Sequence, residues 1–277
     1  MKATVSAGTK GNADVFIDGF NKRCRVDDYT GNFDVLYEEL VKDERLTCAE
    51  KLIWKVKSAD CQAAFSKGMV PEGMAGVFFR GEPCWFFAKY FTEPRKHSEG
   101  WLKEDRLLEG VYLKNKGNPR LLAETGLRRA GSQDAEKLAR FYKEVFPIYP
   151  VPIDEPDYIK KSIEGSTVFM MIELDGIIAS AASAEIDEQH KNAEITDCAT
   201  LAPFRKQGHL LALIHALENL LAARGIFSAY SLARARSFGM NQSLYQCGYR
   251  YGGRLINNCY ISEDLENMNL WWKDLSI

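Results

Sequence analysis

Residues 193–210 read AEITDCATLAPFRKQGHL, and this stretch decides the fold. Its first part, Ala193–Leu201, predicts a strand, and the chain then enters a long amphipathic helix predicted from Gly208 to Arg224. The first backbone amides of a helix have no partner within the helix and carry partial positive charge. A loop that presents them, with Arg205 and Lys206 beside it, predicts a site for a pyrophosphate-like anion. A loop that only caps the helix would explain the same residues.

The elements predicted on either side of this stretch alternate between strands and helices. Asp175-Gly176 joins two strands in a pattern typical of a hairpin, and four prolines in 146–156 predict an irregular loop. This order predicts an α/β fold on a mixed sheet. The predicted strands are 126–130, 168–174, 177–186, 228–235, 249–257 and 268–273, and the predicted helices are 133–145, with Ser132 as N-cap, 157–163 and 240–247.

The first 120 residues are less regular. They predict strands at 14–25 and 52–57, a helix at 33–41, and a hairpin around Gly81. The order of elements in 52–87 is similar to that in 228–272, with Gly68 and Gly248 in equivalent places. One interpretation is a degenerate half-copy of the C-terminal fold, and a chance recurrence of common α/β elements explains the order equally well.

A polar segment at 115–119, which contains glycine and proline, predicts a domain boundary after a strand-like stretch at 110–113. We therefore expect a smaller N-terminal α/β accessory domain at 1–120 and a second domain at 121–277. The length of 277 residues is typical of two modest domains.

Composition excludes several classes of function. The net charge is −2, so bulk attraction to nucleic acid or to an anionic membrane is not expected. No apolar run is long enough to predict a membrane span, and the first residues do not resemble a signal peptide. Seven scattered cysteines without a C-x-x-C pair predict neither a disulfide framework nor a metal site. We expect a cytoplasmic protein with a small-molecule ligand.

The anion loop also resembles that of a known family. Residues 205–210, RKQGHL, are similar to the pyrophosphate loop Q/R-x-x-G-x-G/A of the GCN5-related N-acetyltransferase (GNAT) superfamily, and they depart from it at Leu210. The predicted order of elements over 125–273 is also similar to that fold. The resemblance implies acetyl-CoA as co-substrate. The residues expected to contact it are Cys198, Ala199, Thr200, Arg205, Lys206, Gln207, Gly208, His209, Leu210 and Asn241, the last with helix capping as its alternative role.

A narrower resemblance covers nearly the whole chain. The strings NAEITD at 192–197, GYRYGG at 248–253, LINN at 255–258 and LENMN at 265–269 are similar to β-lysine Nε-acetyltransferases. That family acetylates the side-chain amine of β-lysine (3,6-diaminohexanoate) to give a compatible solute. The resemblance implies the same acceptor here, and the alternative is another small amine such as lysine, ornithine or a polyamine.

Acetyl transfer requires that an alkyl ammonium lose a proton before it attacks the thioester. Glu194 is the predicted base, with a solvated strand acid as the alternative. Because side chains alternate along a strand, we expect Asp197 to face away from Glu194 and to bind a substrate ammonium or pack against a helix. Tyr245 is the predicted acid for the thiolate, although it lies three residues before Gly248 where the superfamily has four. Core packing is its alternative role.

Substrate selection requires further polar groups. Arg234 suits a bidentate pair with a substrate carboxylate. Asn257 and Asn258 would hydrogen-bond the amino acid or form a turn, and Tyr149 would line the acceptor side.

Two other functions stay open from the sequence. A non-catalytic acetyl-CoA sensor is compatible with Leu210 and with the register of Tyr245. A protein-lysine acetyltransferase would need an exposed groove rather than a pocket closed by the N-terminal domain. We expect that domain to shape the acceptor pocket or a homodimer interface.

Overall fold

A mixed sheet runs through both halves of the chain. The computed structural model describes residues 1–114, 126–261 and 264–276, so the linker predicted at 115–119 and the boundary near 120 lie outside the described residues. The sheet has the order β1-β2-β3-β4-β6-β5-β12-β13-β11-β10-β9-β8-β7. Its strands are β1 (Lys2–Ser6), β2 (Gly11–Asp18), β3 (Arg23–Gly31), β4 (Lys51–Lys57), β5 (Val70–Phe79), β6 (Glu82–Tyr90), β7 (Leu127–Arg129), β8 (Thr167–Leu174), β9 (Ile177–Asp187), β10 (Asn192–Thr200), β11 (Ser228–Arg234), β12 (Arg250–Ile261) and β13 (Asp264–Asp274).

Helices pack on both faces of this sheet, which confirms the predicted mixed α/β architecture. The longest, α7, follows β10 as expected and buries Leu213, Leu217 and Leu221 against the sheet. Among the described residues, no helix combines the length and the apolar character that crossing a lipid bilayer requires. The helices are α1 (Phe33–Val41), α2 (Cys61–Ser66), α3 (Glu93–Lys96), α4 (Trp101–Leu113), α5 (Ala135–Val145), α6 (Pro156–Glu164), α7 (His209–Ala223) and α8 (Phe238–Gln246).

Three local predictions were wrong. Residues 110–113 end helix α4 instead of forming a strand, because Val111 packs into the core of the C-terminal half. Residues 14–25 contain parts of two antiparallel strands, β2 and β3, instead of one. Ser132 does not cap α5, since a 3-10 turn precedes the helix and the Gly131 N–H donates to Asp134 Oδ2 at 2.9 Å.

The two halves of the sheet have the same topology. In the C-terminal half, β10 is antiparallel to β9 and parallel to β11, and β13 is antiparallel to both β11 and β12. In the N-terminal half, β3, β2, β4, β6 and β5 repeat these neighbours and directions. The halves meet where β5 and β12 pair antiparallel at Gly73 and Gly253. A Cβ on Gly253 would lie 2.3 Å from the Glu72 carbonyl oxygen, so this crossing requires glycine.

Beyond the crossing, each half reaches into the other. The end of β5 lies on the C-terminal half, where Asn192 Nδ2 donates to the Phe78 carbonyl at 3.1 Å. The end of β12 lies on the N-terminal half in the same way, where Arg23 Nη1 donates to the Asn258 carbonyl at 3.0 Å. This exchange brings β3 and β4 beside the face of β9 and β10 that carries acidic residues.

Candidate active site

The loop between β10 and α7 presents backbone amides that no side chain caps. Gly208 is the N-cap of α7, with a left-handed φ of 86° and no side-chain hydrogen bond to the first turn. Glycine adopts this conformation without steric cost. Arg205 and Lys206 are exposed beside it, and Arg205 Nε donates to the Thr200 carbonyl at 3.1 Å. Free amides at a helix N-terminus and two cations together suit phosphate oxygens.

A slot opens where β10 and β11 diverge. The two strands pair only through Asn192–Glu194 and Ser228–Tyr230. Beyond this point lies a cavity of about 1200 Å³, walled by both strands, the anion loop, α7 and α8. Unpaired strand edges offer hydrogen bonds to an extended ligand that carries amide groups. Nine of the ten residues expected to contact acetyl-CoA line this cavity, namely Cys198, Ala199, Thr200, Arg205, Lys206, Gln207, Gly208, His209 and Leu210.

The tenth, Asn241, lies outside the cavity lining and has protein partners. Its amide nitrogen donates to the carbonyls of Arg234 at 2.9 Å and Ser237 at 2.7 Å. Its amide oxygen accepts from Asn269 Nδ2 at 2.9 Å and from Trp271 Nε1 at 2.8 Å. The side chain therefore ties α8 to β11 and β13, and neither of its amide hydrogens is left for a ligand.

Gln242 is a cavity residue that the sequence analysis missed. It lines the cavity and is only 6% exposed, yet neither its Nε2 nor its Oε1 has a hydrogen-bond partner among the residues that the structure describes. Buried polar groups normally have one, so this amide points to a ligand. The available signal was helical spacing, since Gly239 and Gln246, three before and four after it, also line the cavity.

Three carboxyl groups share one face of β9 and β10. Glu194 lies directly across from Glu185. A β-bulge interrupts β10 at Asp197, which has a left-handed φ of 51°, and Asp197 Oδ2 accepts from Ser183 Oγ at 2.6 Å on the same face. The expectation that Asp197 and Glu194 face opposite sides was therefore wrong, because the bulge adds a residue to the alternation.

Two of these carboxyl groups, those of Asp197 and Glu185, have raised pKa values. Burial raises the pKa of Asp197 to about 6, although hydrogen bonds from Ser183 and Tyr149 oppose the shift. Burial, followed by the charges of Glu194 and Asp197, raises the pKa of Glu185 to about 7. Glu185 is nevertheless exposed, and the charges of Arg25 and Lys55 in the N-terminal half act against the rise of its pKa. Groups with near-neutral pKa values exchange protons readily at working pH.

Two more predicted residues, Tyr149 and Arg234, line the cavity. Tyr149 hydrogen-bonds to Thr196 and Asp197, and burial raises its pKa well above the usual value. Arg234 forms a bidentate pair with Glu266, at 2.8 Å from Nε and 2.5 Å from Nη2. The edge of Arg234 that was expected to bind a substrate carboxylate is therefore occupied by a protein carboxylate.

Glu194 lies just outside the cavity lining, at the closed end of the slot. Its side chain is half-buried, and its Oε2 accepts from Tyr230 Oη at 2.9 Å. Because Tyr230 is its cross-strand neighbour on β11, this bond closes the slot below the point of divergence.

Three predicted residues lie away from the cavity. The ring of Tyr245 packs edge-on against Tyr112 of α4, with centroids 5.3 Å apart. Asn257 Nδ2 donates to backbone carbonyls in 94–97, at 2.7 to 3.2 Å. Asn258 is buried, and its carbonyl accepts from arginines of the N-terminal half. The two asparagines join β12 to the N-terminal half instead of meeting a substrate in the cavity.

Comparisons with known proteins match this geometry. The profile described as the Acetyltransferase (GNAT) family covers residues 135–249, which include the loop and all three carboxyl groups. The chain is 41% identical to the N-acetyltransferase YodP of Bacillus subtilis, over 93% of this chain and 94% of the relative. It is 35% identical to the beta-lysine N(6)-acetyltransferase of Methanococcus maripaludis, over 85% of this chain and 88% of the relative. It is 33% identical to the beta-lysine N(6)-acetyltransferase of Methanosarcina mazei, over 75% of this chain and 85% of the relative.

Transfer of an acyl group from a phosphorylated carrier to an amine requires an anion site and a proton acceptor within one cavity. The described residues place a cationic loop and the carboxyl group of Asp197 in one cavity, and the identity to three acetyltransferases extends over most of the chain. We conclude that this chain belongs to the GNAT acetyltransferase family and is an enzyme that acetylates amines.

Proposed function

We propose that the protein transfers the acetyl group of acetyl-CoA to the side-chain amine of β-lysine and forms Nε-acetyl-β-lysine. The cavity of about 1200 Å³ that joins the cationic loop to Asp197 carries this proposal. The exposed cations Arg205 and Lys206 line it at the loop, and Asp197 is the carboxyl group among its described lining residues. The two relatives named as beta-lysine N(6)-acetyltransferases support the choice of acceptor.

Acetyl-CoA fits the residues of the cavity. The loop with Arg205 and Lys206 would hold its phosphates, and the diverging edges of β10 and β11 would hydrogen-bond its extended arm. The buried amide of Gln242 supplies a further polar contact that the protein itself does not satisfy. Backbone amides of 198–200 would stabilise the negative oxygen that forms during acyl transfer.

Asp197 is the group we propose to accept the proton of the attacking ammonium. It lines the cavity, whereas Glu194 does not, and its pKa of about 6 lets it ionise at neutral pH while remaining basic. Glu194, the base favoured by the sequence, would then help to bind the acceptor. This division of roles is testable because the two carboxyl groups are on the same strand but contact different partners.

The bond changes follow from this arrangement. Asp197 takes a proton from the side-chain ammonium, and the amine lone pair forms a C–N bond to the thioester carbon. The C–S bond then breaks as the carbonyl reforms, and coenzyme A leaves as a thiolate. The second proton of the attacking nitrogen passes to this thiolate, so the products are the neutral amide and the thiol. Since a thiol has an ordinary pKa of about 8.5, its thiolate leaves without a strong acid. The mechanism therefore does not need Tyr245, which packs outside the cavity.

Acetylation removes one of the two positive charges of β-lysine. The product keeps one ammonium and one carboxylate and so has no net charge at neutral pH. A small zwitterion without net charge suits the role of a compatible solute that we propose for it.

The test is thiol release from acetyl-CoA by purified protein, with β-lysine, α-lysine, ornithine, spermidine and a lysine peptide in parallel. We expect the highest kcat/KM with β-lysine. A higher kcat/KM with another free amine would mean that this amine, and not β-lysine, is the acceptor. The YodP relative is compatible with such an acceptor, because its name states none. Preference for the peptide would contradict a closed acceptor pocket.

A further inference from the structure

Cations of the N-terminal half lie beside the carboxyl groups of the catalytic half. Lys55 Nζ on β4 is 5.7 Å from the ring centre of Tyr230, whose hydroxyl donates to Glu194. Burial lowers the pKa of Arg25 on β3, but the nearby charges of Asp27 and then Glu194 have the larger effect, so the pKa of Arg25 is raised. The exchange of strand ends between the halves thus places two charged side chains within electrostatic reach of Glu194.

Arg25 is held in place without being buried from solvent. Its Nε and Nη2 donate to the two oxygens of Asp27 at 2.9 and 3.1 Å, and its guanidinium lies 5.3 Å from the ring centre of Phe16. The side chain keeps 30% of its surface exposed. Nη1 is not used in the bonds to Asp27, so this edge of the guanidinium can receive a ligand.

The local charge on the N-terminal side is positive. Lys55 Nζ also pairs with Asp27, at 2.9 Å, so two cations share one carboxylate. In the C-terminal half, Glu185 and Glu194 face each other across β9 and β10 without a cationic hydrogen-bond partner among the described residues. The neighbouring surfaces of the two halves therefore carry opposite local charges, positive on β3 and β4 and negative on β9 and β10.

A free diamino acid has matching charges. Its reacting amine lies at one end, a second ammonium lies along the chain, and a carboxylate lies at the other end. A diamine lacks the carboxylate, and a lysine within a peptide has neither a free carboxylate nor a free ammonium nearby. Electrostatic complementarity of this kind selects among ligands more than it adds raw affinity.

We propose that Arg25, supported by Lys55, binds the carboxylate of the acceptor amino acid, while Glu185 and Glu194 bind its second ammonium. This inference rests on the proposed acetylation of a free amino acid and makes the N-terminal half a part of the acceptor site. It replaces Arg234, which Glu266 already occupies, as the carboxylate-binding residue.

The test compares β-lysine with 1,4-diaminopentane, which has the same two amines but no carboxylate, in Arg25→Gln, Arg25→Lys and wild-type protein. Lys55 still neutralises Asp27 in the Gln variant, so its fold is expected to persist. We expect Arg25→Gln to lower kcat/KM for β-lysine about 10- to 100-fold and to leave that for 1,4-diaminopentane within about twofold. Arg25→Lys should recover part of the loss, and the KM for acetyl-CoA should not change.

The matched control is Arg45→Gln, because Arg45 also pairs with an aspartate two residues away but lies exposed on the surface. It should behave as wild type with both amines. An equal loss with both amines in Arg25→Gln would overturn the inference and assign Arg25 a structural role. If wild-type protein prefers another carboxylate-bearing amine over β-lysine, the proposed acceptor is wrong. The role of Arg25 is then decided by comparing that amine with its decarboxylated form in the same variants. If the preferred acceptor has no carboxylate, both the proposed acceptor and the proposed role of Arg25 are overturned.

Discussion

The two halves of the sheet have the same topology but differ where a cofactor would bind. In the N-terminal half, Asn32 alone separates β3 from α1, and its side chain accepts from the Val35 N–H at 3.0 Å. In the C-terminal half, residues 201–208 separate β10 from α7, and Gly208 leaves the first amides of the helix without a side-chain cap. Equivalent strands therefore lead into a capped helix in one half and an anion loop in the other.

The slots between the parallel strands also differ. In the N-terminal half the space beside β3 and β4 is filled, with Trp54 between Tyr29 and Phe33 at centroid distances of 5.6 and 4.6 Å. In the C-terminal half the corresponding strands enclose the cavity. The shared topology favours the interpretation of a degenerate half-copy over chance recurrence. If acetyl-CoA binds at the anion loop as proposed, loop length and side-chain volume, rather than topology, distinguish the half that holds it from the half that does not.

The β-bulges in the two halves also differ, in the charge of the groups that surround the aspartate of each bulge. The pairing of β2 with β3 skips Asp27, as the pairing of β9 with β10 skips residues at Asp197. Burial acts on both aspartates, but Lys55 and Arg25 hold the pKa of Asp27 well below its usual range. The donors to Asp197 within the described ranges, Ser183 and Tyr149, are neutral, and its pKa rises to about 6. The same topology therefore lowers the pKa of Asp27 in one half and raises the pKa of Asp197 in the other.

The largest expected effect is on catalysis by Asp197→Asn. If Asp197 accepts the proton, the variant should lower kcat about 10²- to 10⁴-fold with little change in the KM for acetyl-CoA. In wild type, kcat/KM for the amine should fall as the pH drops through about 6, because protonation removes the base. Rates measured from pH 5 to 9 with saturating acetyl-CoA check both expectations. Glu194→Gln is the matched control and should mainly raise the KM for the amine. The reverse pattern would return the base to Glu194.

Trp54→Ala would empty the filled slot of the N-terminal half. Trp54 is fully buried, so the change should lower the free energy of unfolding by about 3–5 kcal/mol. Urea unfolding followed by circular dichroism measures this, with the exposed Leu102→Ala as a control of small effect. Below the unfolding transition, the KM for acetyl-CoA should equal that of wild type. A change in that KM would mean that the N-terminal slot also takes part in cofactor binding.

Stability should respond in opposite directions at the two bulges. Asp197 has a raised pKa, so its ionised form costs stability above pH 6, and this cost disappears below about pH 4. Asp27 has a depressed pKa, so its contribution is present above about pH 4 and is lost as the pH falls further. At pH 7.5, Asp197→Asn should raise the free energy of unfolding and Asp27→Asn should lower it, each by about 1–3 kcal/mol. Changes of the same sign would show that the two environments do not differ as described.

Much of the fold could be predicted because it depends on local patterns. The helical spacing of Leu213, Leu217 and Leu221 predicted α7, and Asp175-Gly176 predicted the turn between β8 and β9. The anion loop was visible for the same reason, since a strand, a short loop and a helix start are contiguous in the chain. Residues 110–113 were wrongly predicted as a strand because their helix is stabilised by packing against the core of the C-terminal half, which is distant in sequence.

The rest of the site depends on contacts that are distant in sequence. The left-handed backbone of Asp197 has no residue signature, because a non-glycine residue adopts it only when its surroundings require it. The pairing of Arg234 with Glu266 joins residues 32 positions apart, and Arg25 acts on carboxyl groups more than 150 positions away in the other half. Gln242 was missed because its burial without a partner is visible only in three dimensions.

The smallest expected effect concerns Gln242, for which helix α2 of the N-terminal half provides a matched control. Gln242→Leu removes a buried amide for which the described part of the chain offers no partner, so the free energy of unfolding should stay equal or rise by about 1 kcal/mol. If the amide binds coenzyme A, the dissociation constant for coenzyme A should rise about 3- to 10-fold, measured by titration calorimetry. Gln62→Leu, on the exposed face of α2, should change neither quantity. Loss of stability together with unchanged affinity would contradict a ligand-binding role, because it would mean that the amide is satisfied within the free protein.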